Sequence, residues 1–288
     1  MHGRNRRRTW CEVEARRGCV VVGILMAGIF AVGCTQVETG TIAHSPRMQV
    51  RGTTPKPVVA PRSAARPVRT ITLGKSVSGT PLVLEIFGSG AERMLIFGGI
   101  HGDEPTSAVV ARRLADYLRT DWDLLEGRTI AILAEANPDG LEKKTRTNAN
   151  GVDLNRNFPA KNWKRHGKRH GAKPLSEPES RAIVRAVEIS KPDRIVSIHS
   201  ARRGHHCNNY DGPAKLLAEL MSRYNRYPAK PTMGYPTPGS FGSWAGVDQG
   251  IATITLELPR DIDGRRCWKE NGRALLAFID EGGPVLGR

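Results

Sequence analysis

The chain has 288 residues, with 44 Lys and Arg against 28 Asp and Glu, a net charge of +16. Its 39% apolar content excludes a disordered chain, and its five cysteines are too few for a disulfide scaffold. A charge of this size, if it were spread evenly, would favour nucleic acid or an anionic surface as the partner.

Residues 1–33 have the pattern of an export signal. Residues 1–18 carry six Arg and two Glu, and an uncharged apolar run, CVVVGILMAGIFAVG, follows them. This run is shorter than the roughly 20 residues that a membrane-spanning helix needs. It leads into AVGC at residues 31–34, which resembles a bacterial lipobox, so we expect a cleaved signal peptide and a lipid on Cys34. Ordinary secretion and an uncleaved anchor are the alternatives.

Residues 34–69 predict a disordered tether. They are rich in Pro, Thr, Ala and Arg, and they show no helical or strand period. Six basic residues and one acid give this segment a net charge of +5. Basic residues next to a lipid anchor favour an anionic membrane, although a soluble spacer would have the same composition.

Residues 70–288 alternate strand and helix patterns, which is typical of an α/β domain. Several strands are continuously apolar, as expected for a sheet that is covered on both faces. The sequence SEPE at residues 176–179 predicts a capping box at a helix start. The predicted strands are 70–74, 81–87, 93–98, 129–134, 194–198 and 251–258, and the predicted helices are 105–119, 177–190, 212–226 and 268–281.

Polar residues follow two of these strands. His101 and Glu104 come after the strand at 93–98, and His199 follows the strand at 194–198. Open α/β sheets collect their ligands at the carboxyl ends of strands. Two imidazoles and one carboxylate, with a fourth position left for water, are the donor set of a hydrolytic zinc. We therefore predict one Zn²⁺ per chain at these three residues.

Other residues supply the remaining parts of a hydrolytic site. Glu257 interrupts an apolar strand, where a carboxylate is costly to bury without a purpose, so it is a candidate general base. In the polar stretch at 148–159, Asn155 and Arg156 could bind a substrate carboxylate. Arg146 could face an oxyanion that develops on the scissile carbonyl.

Five motifs in this order resemble the zinc metallocarboxypeptidase family. The resemblance covers about residues 85–280 and implies a three-layer α/β/α fold with a mixed, roughly eight-stranded sheet. It also implies zinc on the three residues above, and Asp153 as the acceptor that orients His101. The motifs are HGDE at 101–104, NPDG at 137–140, GVDLNRN at 151–157, SIHS at 197–200 and TLE at 255–257.

Within the family, the closer resemblance is to the murein peptide amidases. It is carried by NGVDLNRNFPAKNWK from residue 150 and GYPTPGSFGSWA from residue 234. It implies cleavage of the γ-D-glutamyl–meso-diaminopimelate bond in peptidoglycan peptides, with Glu257 as base and then acid and Arg146 on the oxyanion. Asn155 and Arg156 would bind the free carboxylate, and Tyr235 either bonds the substrate or packs the loop wall.

The rest of the positive charge is local. Residues 161–173 hold six Lys and Arg and no acid, so the folded domain outside this loop is close to neutral. A solvated loop or attraction to anionic wall polymer explains this better than nucleic acid does.

In an exported protein, Cys207 and Cys267 either form a disulfide or remain separate thiols. Adjacent His205 and His206 are expected at a pocket or surface.

Other functions remain open at this stage. A broader metallocarboxypeptidase is one, and a deacylase of the aspartoacylase or succinylglutamate-desuccinylase type is another. A peptidoglycan-binding lipoprotein without activity is disfavoured because the zinc and proton-transfer residues are all present. The expected location is a bacterial membrane surface that faces the periplasm or cell wall, or the cytoplasm if no signal operates.

Overall fold

The structure is a computed structural model that describes residues 68–202 and 204–280. The expected signal peptide, the lipidated Cys34 and the tether up to residue 67 lie outside these ranges. Within them, no helix has the length and apolar character needed to cross a membrane.

Eight strands and five α-helices make up the described domain. Short 3₁₀ turns lie at Asp123–Leu125, Leu154–Arg156 and Lys168–His170, and a π-helix at Gly242–Asp248. The strands are β1 (Arg69–Lys75), β2 (Pro81–Gly88), β3 (Glu92–Phe97), β4 (Arg128–Leu133), β5 (Arg194–Ala201), β6 (Cys207–Asp211), β7 (Ala229–Lys230) and β8 (Ala252–Pro259). The helices are α1 (Pro105–Leu118), α2 (Pro138–Lys143), α3 (Pro178–Ser190), α4 (Lys215–Asn225) and α5 (Gly264–Asp280).

The strands form one mixed sheet in the order β1-β2-β4-β3-β5-β8-β6-β7. The four central strands β4, β3, β5 and β8 run parallel, whereas β2 and β6 pair antiparallel with β4 and β8. The predicted mixed, eight-stranded sheet is thus confirmed. Because β3, β5 and β8 are parallel neighbours, the loops at their carboxyl ends meet at one edge.

Helices cover both faces of the sheet, which confirms the three-layer α/β/α prediction. On one face, α1, α4 and α5 bury a cluster that includes Leu114, Met221 and Phe278. On the other face, α3 and the π-helix bury Ile183, with Phe158 and Phe241 in edge-to-face contact at 5.1 Å. The central strands are apolar at successive positions because both of their faces are covered.

The structure differs from the sequence prediction in the region after β5. Strands β6 and β7 were not predicted, because CNNYD is rich in amides and β7 has only two residues.

The predicted capping box at residues 176–179 is wrong. Glu177 is the N-cap of α3 and makes no side-chain capping bond. Its carboxylate and that of Glu179 bind elsewhere, as described below.

Candidate active site

The three predicted zinc ligands lie together at the carboxyl edge of the sheet. Glu104 is the N-cap of α1, where Pro105 begins the helix, and His199 lies near the end of β5. One donor atom from each of His101, Glu104 and His199 lies within 4.8 Å of the others. All three side chains are buried. The donor set of two imidazoles and one carboxylate fits a zinc ion.

A carboxylate behind the cluster orients His101. The Nδ1 atom of His101 lies 3.1 Å from Glu104, and its Nε2 atom lies 3.0 Å from Oδ1 of Asp153. Burial lowers the pKa of His101, but the charges of Glu104 and Asp153 outweigh it and raise the pKa to about 9. Burial raises the pKa of Asp153, but the hydrogen bond and charge of His101 and the Arg146 charge hold it well below its usual range. Ligating histidines commonly have such an acceptor.

Glu257 lies beside the metal cluster on β8. It pairs in register with His199 on β5 and is 8% exposed. Burial raises the pKa of Glu257 and the charge of Glu104 raises it further, while His199 lowers it, so that the net shift is upward. A carboxylate with a raised pKa is suited to take up and return a proton.

The two predicted arginines, Arg146 and Arg156, line the same pocket. Arg146 donates to Asp153 over 2.9 Å and to Glu104 over 3.2 Å. Arg156 donates to the carbonyl of Asn155 over 2.6 Å and lines the pocket, and burial lowers its pKa. The Oδ1 atom of Asn155 accepts a hydrogen bond from the backbone of Phe241, so Asn155 also holds the loop before the π-helix.

The loop that carries Asn155 and Arg156 is anchored on α3. The side-chain Nδ2 of Asn148 donates to the carboxylate of Glu177 over 2.8 Å and to that of Glu179 over 2.9 Å. Asn150 donates to the same Glu177. The two acids of the expected capping box therefore position the loop that carries Asn155 and Arg156 instead of capping their own helix.

A cavity of about 590 Å³ extends from the metal cluster along β6 and β8. Tyr235 stands at its rim, 56% exposed. His205 lines the cavity, whereas the His206 ring packs on Tyr227. The Lys and Arg side chains of the loop at residues 161–173 are exposed, whereas His170 is buried and Trp163 is half-buried. The Nε1 atom of Trp163 donates to the carbonyl of Arg156. The basic loop is thus attached to the wall of the site.

Sequence reasoning did not single out four charged residues that line the pocket, Arg202, Asp211, Lys230 and Arg260. Asp211 ends β6 and faces Thr253 in the register, on the same side of the sheet as Glu257. Within the described residues its carboxylate makes no hydrogen bond or ion pair, and burial raises its pKa to about 6. Arg260 follows β8 and reaches Glu104 and Asp103. The sequence signal for Arg260 is a charge just after a predicted strand, whereas Asp211 has no such signal because β6 was not predicted.

Cys207 and Cys267 are both buried, free thiols in the structure. Cys207 pairs in register with Glu257, and its Sγ lies 4.0 Å from the sulfur of Met233. Burial raises the pKa of Cys207 to about 11 and that of Cys267 to about 12. Of the two alternatives, the structure therefore has the separate thiols, both protonated at neutral pH.

Known proteins match both the sequence and the fold. The chain matches the zinc carboxypeptidase family over residues 62–265. Murein peptide amidase A of Escherichia coli K12 is 36% identical over 220 residues, which cover 70% of this chain and 87% of that protein. Murein peptide amidase A of Vibrio campbellii is 34% identical, covering 68% of this chain and 82% of that protein.

The crystal structure of murein-tripeptide amidase from Escherichia coli O157 superposes with a TM-score of 0.62 at 32% identity. The match covers 78% of this chain and 97% of that one. The family match and this structural likeness both cover most of the described domain. The clustered His-Glu-His donors agree with them. The chain belongs to the zinc carboxypeptidase family and is a zinc metallopeptidase.

Proposed function

We propose that this enzyme hydrolyses the γ-D-glutamyl–meso-diaminopimelate amide bond of murein peptides. The named activity of its relatives supports this substrate class. The charges of the pocket support it independently, since they complement the residue that the reaction would release.

The reaction needs a metal site and a proton carrier. His101, Glu104 and His199 would hold zinc, which supplies polarisation of the scissile carbonyl and acidification of water. Glu257 takes the proton of the attacking water and returns it to the departing nitrogen, for which its raised pKa is suited. Arg146 offers N–H donors to the developing oxyanion.

Arg156 and Asn155 would bind the free α-carboxylate of the departing residue, with Tyr235 closing over it from the rim. A guanidinium binds a carboxylate through two parallel hydrogen bonds. In a murein tripeptide this carboxylate is free, whereas in a tetrapeptide it is bonded to the next residue.

We therefore expect the tripeptide to be cleaved about 10- to 100-fold faster than the tetrapeptide, because the charged hydrogen bonds are lost in the longer substrate. Competition between the two peptides, followed by chromatography, measures the ratio of kcat/KM. Equal rates would contradict this role of Arg156.

Asp211 is the observation that favours a departing residue with a cationic side chain. An unpaired, half-buried carboxylate is unfavourable unless a ligand compensates it. Diaminopimelate has a free ammonium, next to its second carboxylate, at the far end of its side chain. With its α-carboxylate on Arg156, the side chain can extend along β6 and β8 and place this ammonium on Asp211.

A broader carboxypeptidase that releases C-terminal lysine is the second candidate, because Asp211 would accept a lysine ammonium as well. The two candidates differ on the other side of the bond, which is a γ-glutamyl amide in murein and an α-peptide bond in proteins.

Mass spectrometry of the purified, zinc-loaded full chain distinguishes the two. We expect release of diaminopimelate from L-Ala-γ-D-Glu-meso-diaminopimelate, and little release of lysine from an α-linked peptide. A chelator should abolish the reaction, and Glu257→Gln should lower kcat by about 10²- to 10⁴-fold. If the wild type releases lysine but no diaminopimelate, the murein assignment is wrong.

We further propose that the enzyme is exported and held at a bacterial membrane by a lipid on Cys34. The n-region, the apolar run and the AVGC sequence support this location. Growth with labelled palmitate should label the wild-type chain but not Cys34→Ala. Equal labelling of both would contradict the anchor.

A further inference from the structure

Arg260 is a guanidinium at the pocket rim that the proposed reaction does not use. It is the first residue after β8, three positions past Glu257. Its Nη2 donates to Oε1 of Glu104 over 2.9 Å and to the carbonyl of Ser200 over 3.4 Å, and its Nη1 lies 3.4 Å from Oδ2 of Asp103. The side chain is 40% exposed and lines the cavity.

These contacts leave Arg260 with donors to spare. Oε1 of Glu104 is already shared with Arg146 and His101, and a part-exposed ion pair contributes little to stability. A metal cation bound to Glu104 would neutralise part of its charge and so weaken its attraction for the Arg260 guanidinium. Arg260 is therefore available to an anionic ligand, while Asp103 keeps it at the rim.

Arg260 and Asp211 lie on opposite sides of Glu257 along β8. Asp211 is paired with Thr253, four residues before Glu257, and Arg260 comes three residues after it. At about 3.3 Å per residue, the seven residues between the two positions correspond to about 23 Å. A substrate that places its departing residue toward Asp211 consequently places its acyl part toward Arg260.

The acyl part of the proposed substrate carries a negative charge that an ordinary peptide lacks. In a γ-glutamyl amide the scissile carbonyl belongs to the glutamate side chain. The α-carboxylate therefore remains free, and three carbon atoms separate it from the scissile carbonyl. In an α-peptide bond, the backbone continues directly from the carbonyl and has no such group.

We propose that Arg260 binds the free α-carboxylate of the acyl residue and thereby selects γ-glutamyl amides over α-peptide bonds. The proposal rests on the proposed function, whose substrate it makes more specific. The planar guanidinium can meet a carboxylate with two parallel hydrogen bonds. Arg260 is a specificity residue here, since it touches the substrate away from the reacting atoms.

Two tripeptides test this role, L-Ala-γ-D-Glu-meso-diaminopimelate and an analogue in which 4-aminobutyrate replaces the glutamate. The analogue lacks only the α-carboxylate. We expect the wild type to prefer the natural peptide by about 10- to 100-fold in kcat/KM, mostly through KM. Arg260→Gln should cleave both peptides at similar rates, and Arg260→Lys should keep part of the preference.

The ratio of the two substrates is internally controlled, because any disturbance of Glu104 or loss of metal slows both peptides equally. Arg265→Gln removes the same charge from an exposed position at the start of α5 and should keep the full preference. Calorimetric binding of both peptides to Glu257→Gln, with and without Arg260→Gln, gives a second readout that needs no turnover.

A preference that persists in Arg260→Gln, or a wild type that does not distinguish the peptides, overturns the role of Arg260 and leaves the amidase assignment intact. If the wild type cleaves and binds neither peptide, the proposed function fails and this proposal fails with it.

Discussion

Two carboxylates of the pocket have raised pKa values for different reasons. Glu257 is buried beside Glu104, and His199 partly offsets the shift. Asp211 has burial as the sole cause, and its pKa rises from 3.8 to about 6. The pKa of Glu257 thus depends on a network of charges, whereas Asp211 keeps an uncompensated charge that a cationic ligand would neutralise.

Asp211 should therefore weaken the fold while it improves binding. Its folded-state pKa lies above the unfolded value, so the unfavourable contribution is absent below pH 4, grows between pH 4 and 6, and is complete above. We expect Asp211→Asn to raise the free energy of unfolding by about 1–3 kcal/mol at pH 7.5 and to leave it unchanged at pH 4. Urea unfolding at the two pH values measures this.

We expect the KM of the wild type for the murein tripeptide to increase as the pH falls through about 6, and Asp211→Asn should raise KM and remove this pH dependence. Asp116→Asn, on the exposed face of α1, is the matched control and should change neither property. A KM that Asp211→Asn leaves unaltered would argue against an ammonium at Asp211.

At the scale of elements, the loop at residues 148–157 depends on α3 for its position. Asn148 is buried and bonds both Glu177 and Glu179, and Glu179 is fully buried. The loop carries Arg156 at its other end. A substitution at Asn148 can therefore shift Arg156 through the backbone of the loop.

We expect Asn148→Ala to destabilise the protein by about 2–3 kcal/mol, since two buried carboxylates lose a donor. KM should rise more than kcat falls, because Arg156 moves while the metal ligands and Glu257 stay. Thermal unfolding and steady-state kinetics check this, with the exposed Asn150→Ala as the milder control. A decrease in kcat at constant KM would contradict the proposal that Asn148 acts on substrate binding by positioning Arg156.

For the whole molecule, the metal site joins three parallel strands and their loops. His101 and Glu104 follow β3, His199 lies on β5, and Glu257 adds β8. A cation bound by these ligands favours the folded state because the unfolded chain cannot bring them together.

Chelation should therefore lower Tm as well as activity. At a zinc concentration about 1,000 times Kd, bound metal contributes about 4 kcal/mol, or about 10 °C in Tm for a domain of this size. Calorimetry with and without chelator measures the shift, and zinc should restore it. The Tm of His199→Ala should respond much less; an equal response would place the metal elsewhere.

The sequence by itself determined the α/β class, most strands and helices, and the grouping of His101, Glu104 and His199. These are local signals, since apolar runs define buried strands and motifs of a few residues end them at one edge of the sheet. The amide-rich β6 was missed because its stability comes from pairing with β8, which is a long-range contact.

Only the tertiary structure decided the surroundings of Asp211 and Arg260 and the contacts of Glu177 and Glu179. The unpaired state of Asp211 follows from strand register, and the contact of Arg260 with Glu104 joins residues 156 positions apart. Glu177 and Glu179 resembled a cap in sequence, but Asn148 offered them donors that their own helix did not. A side chain's electrostatic role depends on the neighbours that folding brings to it, and short-range patterns do not contain that information.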